Sequence, residues 1–67
     1  MSLLPYQERV IEEKRELDEK LDRLRVYMGS PAFTSVPTDE QARMGEQASF
    51  MAGYSRVLGA RIAAFKS

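Results

Sequence analysis

The hydrophobic and polar positions of this chain fall into two helical periods separated by a short break. Met44, Ala48, Met51, Ser55, Leu58, Ile62 and Phe65 follow one another at alternating steps of four and three residues, the spacing of a helix seam. Upstream, a second seam reads Leu3, Gln7, Val10, Lys14, Leu17, Leu21, Leu24 and Met28, with two polar members, Gln7 and Lys14. The pattern predicts a first helix over about 5–28, a loop over 29–37 and a second helix over about 38–66.

Local signals agree with those limits. Pro5 suits a first helical turn, where its missing N–H costs little. Strong helix formers fill the span to Met28, with Gly29 as the expected C-cap and Pro31 just beyond. Glu16 with Lys20 and Glu19 with Arg23 are expected i,i+4 pairs. Phe33 and Val36 are expected to fold back over the end of the helix pair. Thr38-Asp39-Glu40-Gln41 matches a capping box, in which the Thr38 hydroxyl takes an amide and Gln41 reaches back. Asp39 and Glu40 suit the positive end of the second helix, and Lys66 its negative end.

Two long helices joined by a short loop must run antiparallel. A tight loop brings Met28 near Met44, Leu21 near Met51, Lys14 near Ser55 and Leu58, and Val10 near Ile62. The stripes beside the seams then face each other. On the first helix that stripe is Tyr6, Glu13, Lys20 and Tyr27; on the second it is Gln47, Tyr54 and Arg61, bordered by Phe50, Val57 and Ala64. Gly45, Ala52 and Gly59 form a small-residue stripe that would let another backbone come close.

Composition narrows what such a hairpin can do. Its 67 residues amount to one domain, near the lower limit for independent stability. Without Cys or His, disulfides and a structural zinc site are excluded as supports, and no cofactor is expected. Leu4, Ile11, Val26, Phe50, Val57, Ala60, Ala63 and Ala64 lie off the seams, where a two-helix contact cannot cover them. The expected architecture is therefore an all-α antiparallel two-helix hairpin, residues 1–67, that oligomerises into a helical bundle. Ten basic and ten acidic residues give no excess for a nucleic-acid polymer. No apolar run approaches the ~20 residues of a membrane span. Met1 to Arg9 lacks the features of a signal peptide, so the chain reads as cytoplasmic.

Three constellations invite a chemical reading. The facing stripes could form a groove completed by a neighbouring subunit: Tyr6, Tyr27 and Tyr54 stacking on a base, Lys20 and Arg61 meeting phosphate, Gln47 reading a base edge. On the residues alone the simpler reading is an interface, with Glu13 and Arg61 as an interhelix salt bridge. Lys14 in the seam could fix register and partner number, or bind phosphate. The carboxylates Glu12, Glu13, Glu16, Asp18, Glu19 and Asp22 alternate with Lys14, Arg15, Lys20 and Arg23, the pattern of a salt-bridged, solvated face. Neither metal binding nor catalysis is expected from them. No nucleophile–base arrangement or phosphate loop is present, and the protein is expected not to be an enzyme.

Leu4-Pro5-Tyr6-Gln7-Glu8-Arg9-Val10, Glu13-Lys14-Arg15-Glu16-Leu17, Lys20 and Leu24 resemble the first helix of a family of short, uncharacterised tailed-phage proteins, first catalogued from a crAss-like bacteriophage. Gln47, Met51, Tyr54, Leu58, Arg61-Ile62 and Phe65 resemble its second helix. The resemblance covers nearly the whole chain and implies a phage origin and a helical hairpin, without an established chemistry. A looser architectural similarity links the chain to phage sponges of the anti-CBASS and anti-Thoeris kinds, small oligomers that hold immune signals between subunits through tyrosines and basic residues. The motif of the best-known anti-CBASS sponge is missing, so no residue is transferred from it.

The resulting expectation is a phage anti-defence protein. It would act in the host cytoplasm, sequestering a cyclic or ADP-ribose-derived nucleotide signal between subunits without cleaving it. The expected ligand-binding residues are Tyr6, Lys14, Lys20, Tyr27, Gln47, Tyr54 and Arg61. The alternative is a non-enzymatic phage module that grips a host or phage protein through its apolar faces, and a small structural phage protein is a third option.

Overall fold

A computed structural model describes residues 2–65. Helix α1 spans Pro5–Met28, a short 3-10 helix spans Pro31–Ser35, and helix α2 spans Thr38–Ala63. The two long helices pack antiparallel into an all-α hairpin measuring 50 × 15 × 14 Å. Contacts between them follow the expected register: Tyr6 meets Phe65 at one end, Lys14 meets Ser55 in the middle, and Met28 approaches Gly45 at the other end.

The start of α1 explains one of the two polar seam positions. The Leu4 N–H donates to Gln7 Oε1 at 2.8 Å, and the Gln7 N–H donates to the Leu4 carbonyl at 2.9 Å. Gln7 thus closes the first turn, where helix amides lack backbone partners. At the other end the Gly29 N–H reaches the carbonyls of Arg25 and Val26. Its φ of −91° lies outside the left-handed region, so the turn does not depend on glycine's conformational freedom. Phe33 and Val36, both half-buried, close this end of the hairpin as expected, and the Phe33 ring meets Tyr27 edge-on at 6.1 Å.

The capping box expected at Thr38 does not form. Pro37 occupies the N-cap position, its carbonyl accepting the Gln41 N–H at 2.9 Å, and Thr38 is already helical. Gln41 reaches past Thr38, its Nε2 donating to the carbonyls of Val36 (2.8 Å) and Phe33 (3.1 Å). The physical reason is supply: the compact connection presents carbonyls to a side chain with two donors. Asp39 takes the Glu40 amide at 3.0 Å. Lys66, expected at the far end of α2, lies outside the described residues.

The expected ion pairs on α1 are also redistributed. Arg15 holds Glu12 and Glu19 and approaches Glu16, whereas Glu16–Lys20 and Glu19–Arg23 pairs are absent among the described residues. The planar Arg15 guanidinium can serve two carboxylates at once, which the Lys20 ammonium does less well, and Glu19, with Arg15 one turn before it and Arg23 one turn after, takes Arg15.

Among the described residues, Val10, Leu21 and Leu58 are the buried hydrophobic ones. Leu17, Leu24, Met44, Ala48, Met51 and Ile62 line the same seam half-buried. A pair of helices has a contact line rather than an enclosed core, so most seam residues keep one side open.

Candidate functional site

The two helices present two different flanks, and the candidate residues divide between them. Tyr6, Glu13, Lys20 and Tyr27 on α1 and Gln47, Tyr54 and Arg61 on α2 are all exposed, and the antiparallel heptad pairing assigns the two stripes to one flank. The terminal tyrosines are held by aromatic neighbours at opposite ends: Tyr6 lies edge-on to Phe65 with centroids 5.8 Å apart, and Tyr27 lies against Phe33. Between them, Lys20, Tyr54 and Arg61 make no ion pair or side-chain hydrogen bond among the described residues. Gln47 Nε2 makes a weak contact with Met51 Sδ at 3.8 Å.

The expected Glu13–Arg61 salt bridge is not formed. Both side chains stand in water, where an ion pair gains little over separate solvation and constrains two long side chains. Among the described residues Arg61 therefore has no ionic partner.

Beside Gln47 and Tyr54 lies a shallow, mainly apolar groove of about 440 Å³, which also involves Arg43, Glu46, Phe50 and Met51. Arg43 is paired with Glu40 at 2.8 Å and approaches Asp39 at 3.9 Å. Phe50 stands largely out of the groove, 71% exposed.

Lys14 belongs to the other flank. Its Nζ donates to Asp18 Oδ2 at 2.7 Å and to Ser55 Oγ at 3.2 Å, and the Ser55 hydroxyl donates to the second oxygen of Asp18. These contacts close a small polar ring between the helices. Hydrogen bonds from Lys14 and then Ser55 hold the Asp18 carboxyl below its ordinary range, against the opposing pull of burial. The Lys14 stem passes over Gly59, where an added Cβ would come 3.3 Å from its Cε. Within the hairpin, Gly59 and Gly45 face α1 side chains, Lys14 and Met28.

The Lys14 flank opens into a second groove of about 460 Å³, into which Asp22, Arg25 and Arg56 also project. The sequence reading passed over Arg25 and Arg56. The signal was available: Asp18 and Arg25 share one heptad stripe, which an antiparallel pairing sets opposite Ala52 and Gly59. The structure gathers Gln47 and Tyr54 at one groove, sets Tyr6 and Tyr27 against Phe65 and Phe33 at opposite ends of the hairpin, and places Lys14 in a separate groove, while Lys20 and Arg61 line neither groove.

Carboxylates elsewhere on α1 are engaged by cations. Arg15 hydrogen-bonds Glu12 and lowers the affinity of its carboxyl for a proton. Among the described residues, no group of three or more acidic side chains is placed to hold a metal ion. No described helix is long and apolar enough to cross a membrane.

The geometry defines a class: a small helical hairpin with a tyrosine and cation stripe, a shallow apolar groove and extensive open apolar surface. The chain belongs to the Sequestin family, whose model matches residues 4–64, and that name is compatible with a sequestering role. Neither a curated protein nor a solved structure matches the chain significantly.

Proposed function

We propose that this protein is a phage anti-defence sponge that binds a small nucleotide immune signal between subunits in the host cytoplasm and withholds it without cleaving it. The observation that carries the reading is the flank formed by Lys20, Tyr54, Arg61 and Gln47. Its two cations have no carboxylate partner among the described residues, and its central tyrosine is exposed beside an apolar groove. Tyr54 offers a face for a base, Lys20 and Arg61 answer phosphate charge, and Gln47 carries donors and an acceptor for a base edge. Tyr6 and Tyr27 bound the flank. Lys14, already bonded to Asp18 and Ser55, serves mainly to hold the hairpin. Family membership supports the sequestering part of the proposal.

The test is direct. The purified protein is incubated with cyclic di- and trinucleotides and with ADP-ribose-derived signals, while its melting temperature is followed. A ligand at a hundred times its Kd adds about 2.7 kcal/mol and should be recovered intact after denaturation. No shift with any of them, or recovery of a cleaved product, counts against the proposal.

A second reading is favoured by the exposure of Phe50 and Val57: a module that grips another protein. In that case Phe50→Ala or Val57→Ala would abolish capture of one dominant partner from host lysate, while Lys20→Ala and Arg61→Ala would matter less.

A further inference from the structure

The hairpin leaves more surface open than its mass requires. A compact monomer of 7.6 kDa would expose about 4300 Å² and have a radius of gyration of about 11 Å. This chain exposes 5048 Å² and has a radius of gyration of 15.4 Å. The excess area, roughly 750 Å², is close to the ~800 Å² that each partner buries in a standard protein interface.

Exposed apolar side chains lie on both helices, Leu4, Ile11 and Val26 among them on the α1 side, and on α2 they collect on the outer face. Phe50 and Val57, 71% and 46% exposed, lie two turns apart with Gly53 and Tyr54 between them. Gly53 is an independent clue. A glycine inside a helix weakens it relative to alanine, and at the half-buried Gly53 a Cβ would meet, beyond its own helix backbone and chain neighbours, no atom within 4 Å. Gly45 and Gly59 accommodate side chains of α1, whereas Gly53 accommodates nothing inside the hairpin.

We infer that this face of α2 pairs with the same face of a second copy of the chain. The two helices run antiparallel about a two-fold axis lying between positions 53 and 54. Phe50 then lies opposite the second copy's Val57, and Tyr54 lies over the second copy's Gly53. Glu46 lies opposite the second copy's Arg61. A two-fold interface must be complementary to itself, and each of these contacts is. Phe50 and Val57 cover each other's open apolar surface. The Tyr54 ring needs a stretch of helix without a side chain, which Gly53 supplies. Glu46 and Arg61 carry opposite charges, and neither has an ion-pair partner among the described residues of the hairpin. The guanidinium has five donors, enough for Glu46 and an additional anionic ligand.

The pairing supplies the subunit contact that the proposed function requires and rests on that reading only for its homo-oligomeric part. Self-association and nucleotide binding are separate measurements: the chain can associate through this face without binding a nucleotide, and binding by an assembly built on another face would leave the α2-face substitutions without effect. The experiment is sedimentation velocity over a dilution series, checked by native mass spectrometry without added nucleotide. The unmodified chain is expected to be at least dimeric at micromolar concentration. Phe50→Glu and Gly53→Gln should each raise the dissociation constant by about tenfold or more, the scale of a lost interface anchor. On an unpartnered face Gly53→Gln would instead raise the melting temperature and leave association unchanged. Arg56→Gln, on the other flank, should change the constant less than about twofold. Glu46→Arg and Arg61→Glu should each weaken association and the double exchange should restore it, a readout that leaves the buried seam untouched. A monomeric chain with intact helices overturns the inference, as does association that none of the α2-face substitutions alters.

Discussion

Lys14 Nζ lies 3.2 Å from Ser55 Oγ and, with Asp18, ties the middle of α1 to the middle of α2. This is a polar contact inside an otherwise apolar seam, and its cost suggests its use. Replacing both residues by leucine should raise the melting temperature, because apolar residues often stabilise as well as or better than an ionic cluster in such a position. The same variant should lose its single register or subunit number, visible as several species in native mass spectrometry. Ser55→Ala alone should destabilise by about 0.5–1.5 kcal/mol in urea unfolding, the worth of one hydrogen bond.

Asp18 gives the hairpin a defined acid response. Its carboxyl is held below the ordinary value of about 3.9 by Lys14 and Ser55. A folded-state pKa below the unfolded one stabilises the protein above the unfolded value, and that stability is lost as pH falls through the folded value. The stability of the unmodified chain should therefore decline below about pH 4. Asp18→Asn should flatten that part of the curve while lowering stability at neutral pH. Urea midpoints from pH 2 to pH 7 provide the check.

Two glycines of α2 should respond differently to alanine. At Gly45 a Cβ would meet Met28 Cε at an ordinary 3.9 Å, so Gly45→Ala should gain most of the ~1 kcal/mol of helix propensity. At Gly59 the new Cβ would crowd Lys14 Cε at 3.3 Å and push the stem that carries the ammonium to Ser55. Gly59→Ala should gain clearly less or lose stability, and combining it with Lys14→Ala should recover the gain. Thermal unfolding of Gly45→Ala, Gly59→Ala, Lys14→Ala and the Lys14→Ala/Gly59→Ala pair measures both outcomes.

The missing Glu13–Arg61 bridge separates structure from binding. Glu13→Ala should change hairpin stability by no more than about 0.5 kcal/mol, as for an ordinary surface substitution. Arg61→Ala should weaken retention of a bound nucleotide about tenfold or more if its guanidinium meets phosphate, a loss of roughly 1.4 kcal/mol or above. Calorimetric titration of both variants gives the comparison.

The aromatic pair Tyr6–Phe65 fastens the open end of the hairpin. Phe65→Ala should remove the edge-to-face contact, worth about 0.5–1.5 kcal/mol beyond area burial, and should speed hydrogen exchange in the first turns of α1. Exchange near Tyr27, clasped by Phe33 at the other end, should stay unchanged.

The hairpin itself was legible in the sequence because a helix seam is a local periodic property. Leu21 and Leu58 repeat with their neighbours at the spacing that puts apolar side chains on one line, and a short connection forces the two lines together. The pairing of Lys14 with Ser55 followed from the same spacing. What failed were details in which several partners compete. Thr38 lost the N-cap to Pro37 because Gln41 could reach the Val36 and Phe33 carbonyls. Glu19 turned to Arg15 instead of Arg23 because one carboxylate has a cation within reach a turn before it and another a turn after it, and spacing does not rank the two.

The division follows from range. The sequence by itself determined two helices, their antiparallel register, and a tyrosine and cation stripe along one flank, because each depends on spacing within a few turns. Only the tertiary structure decided that Arg61 stands free of Glu13, that Lys14 turns to the opposite flank, and that Gly53 serves no contact within the hairpin. Those outcomes depend on the competition of solvent, carbonyls and neighbouring side chains for the same groups in three dimensions, which no one-dimensional period records.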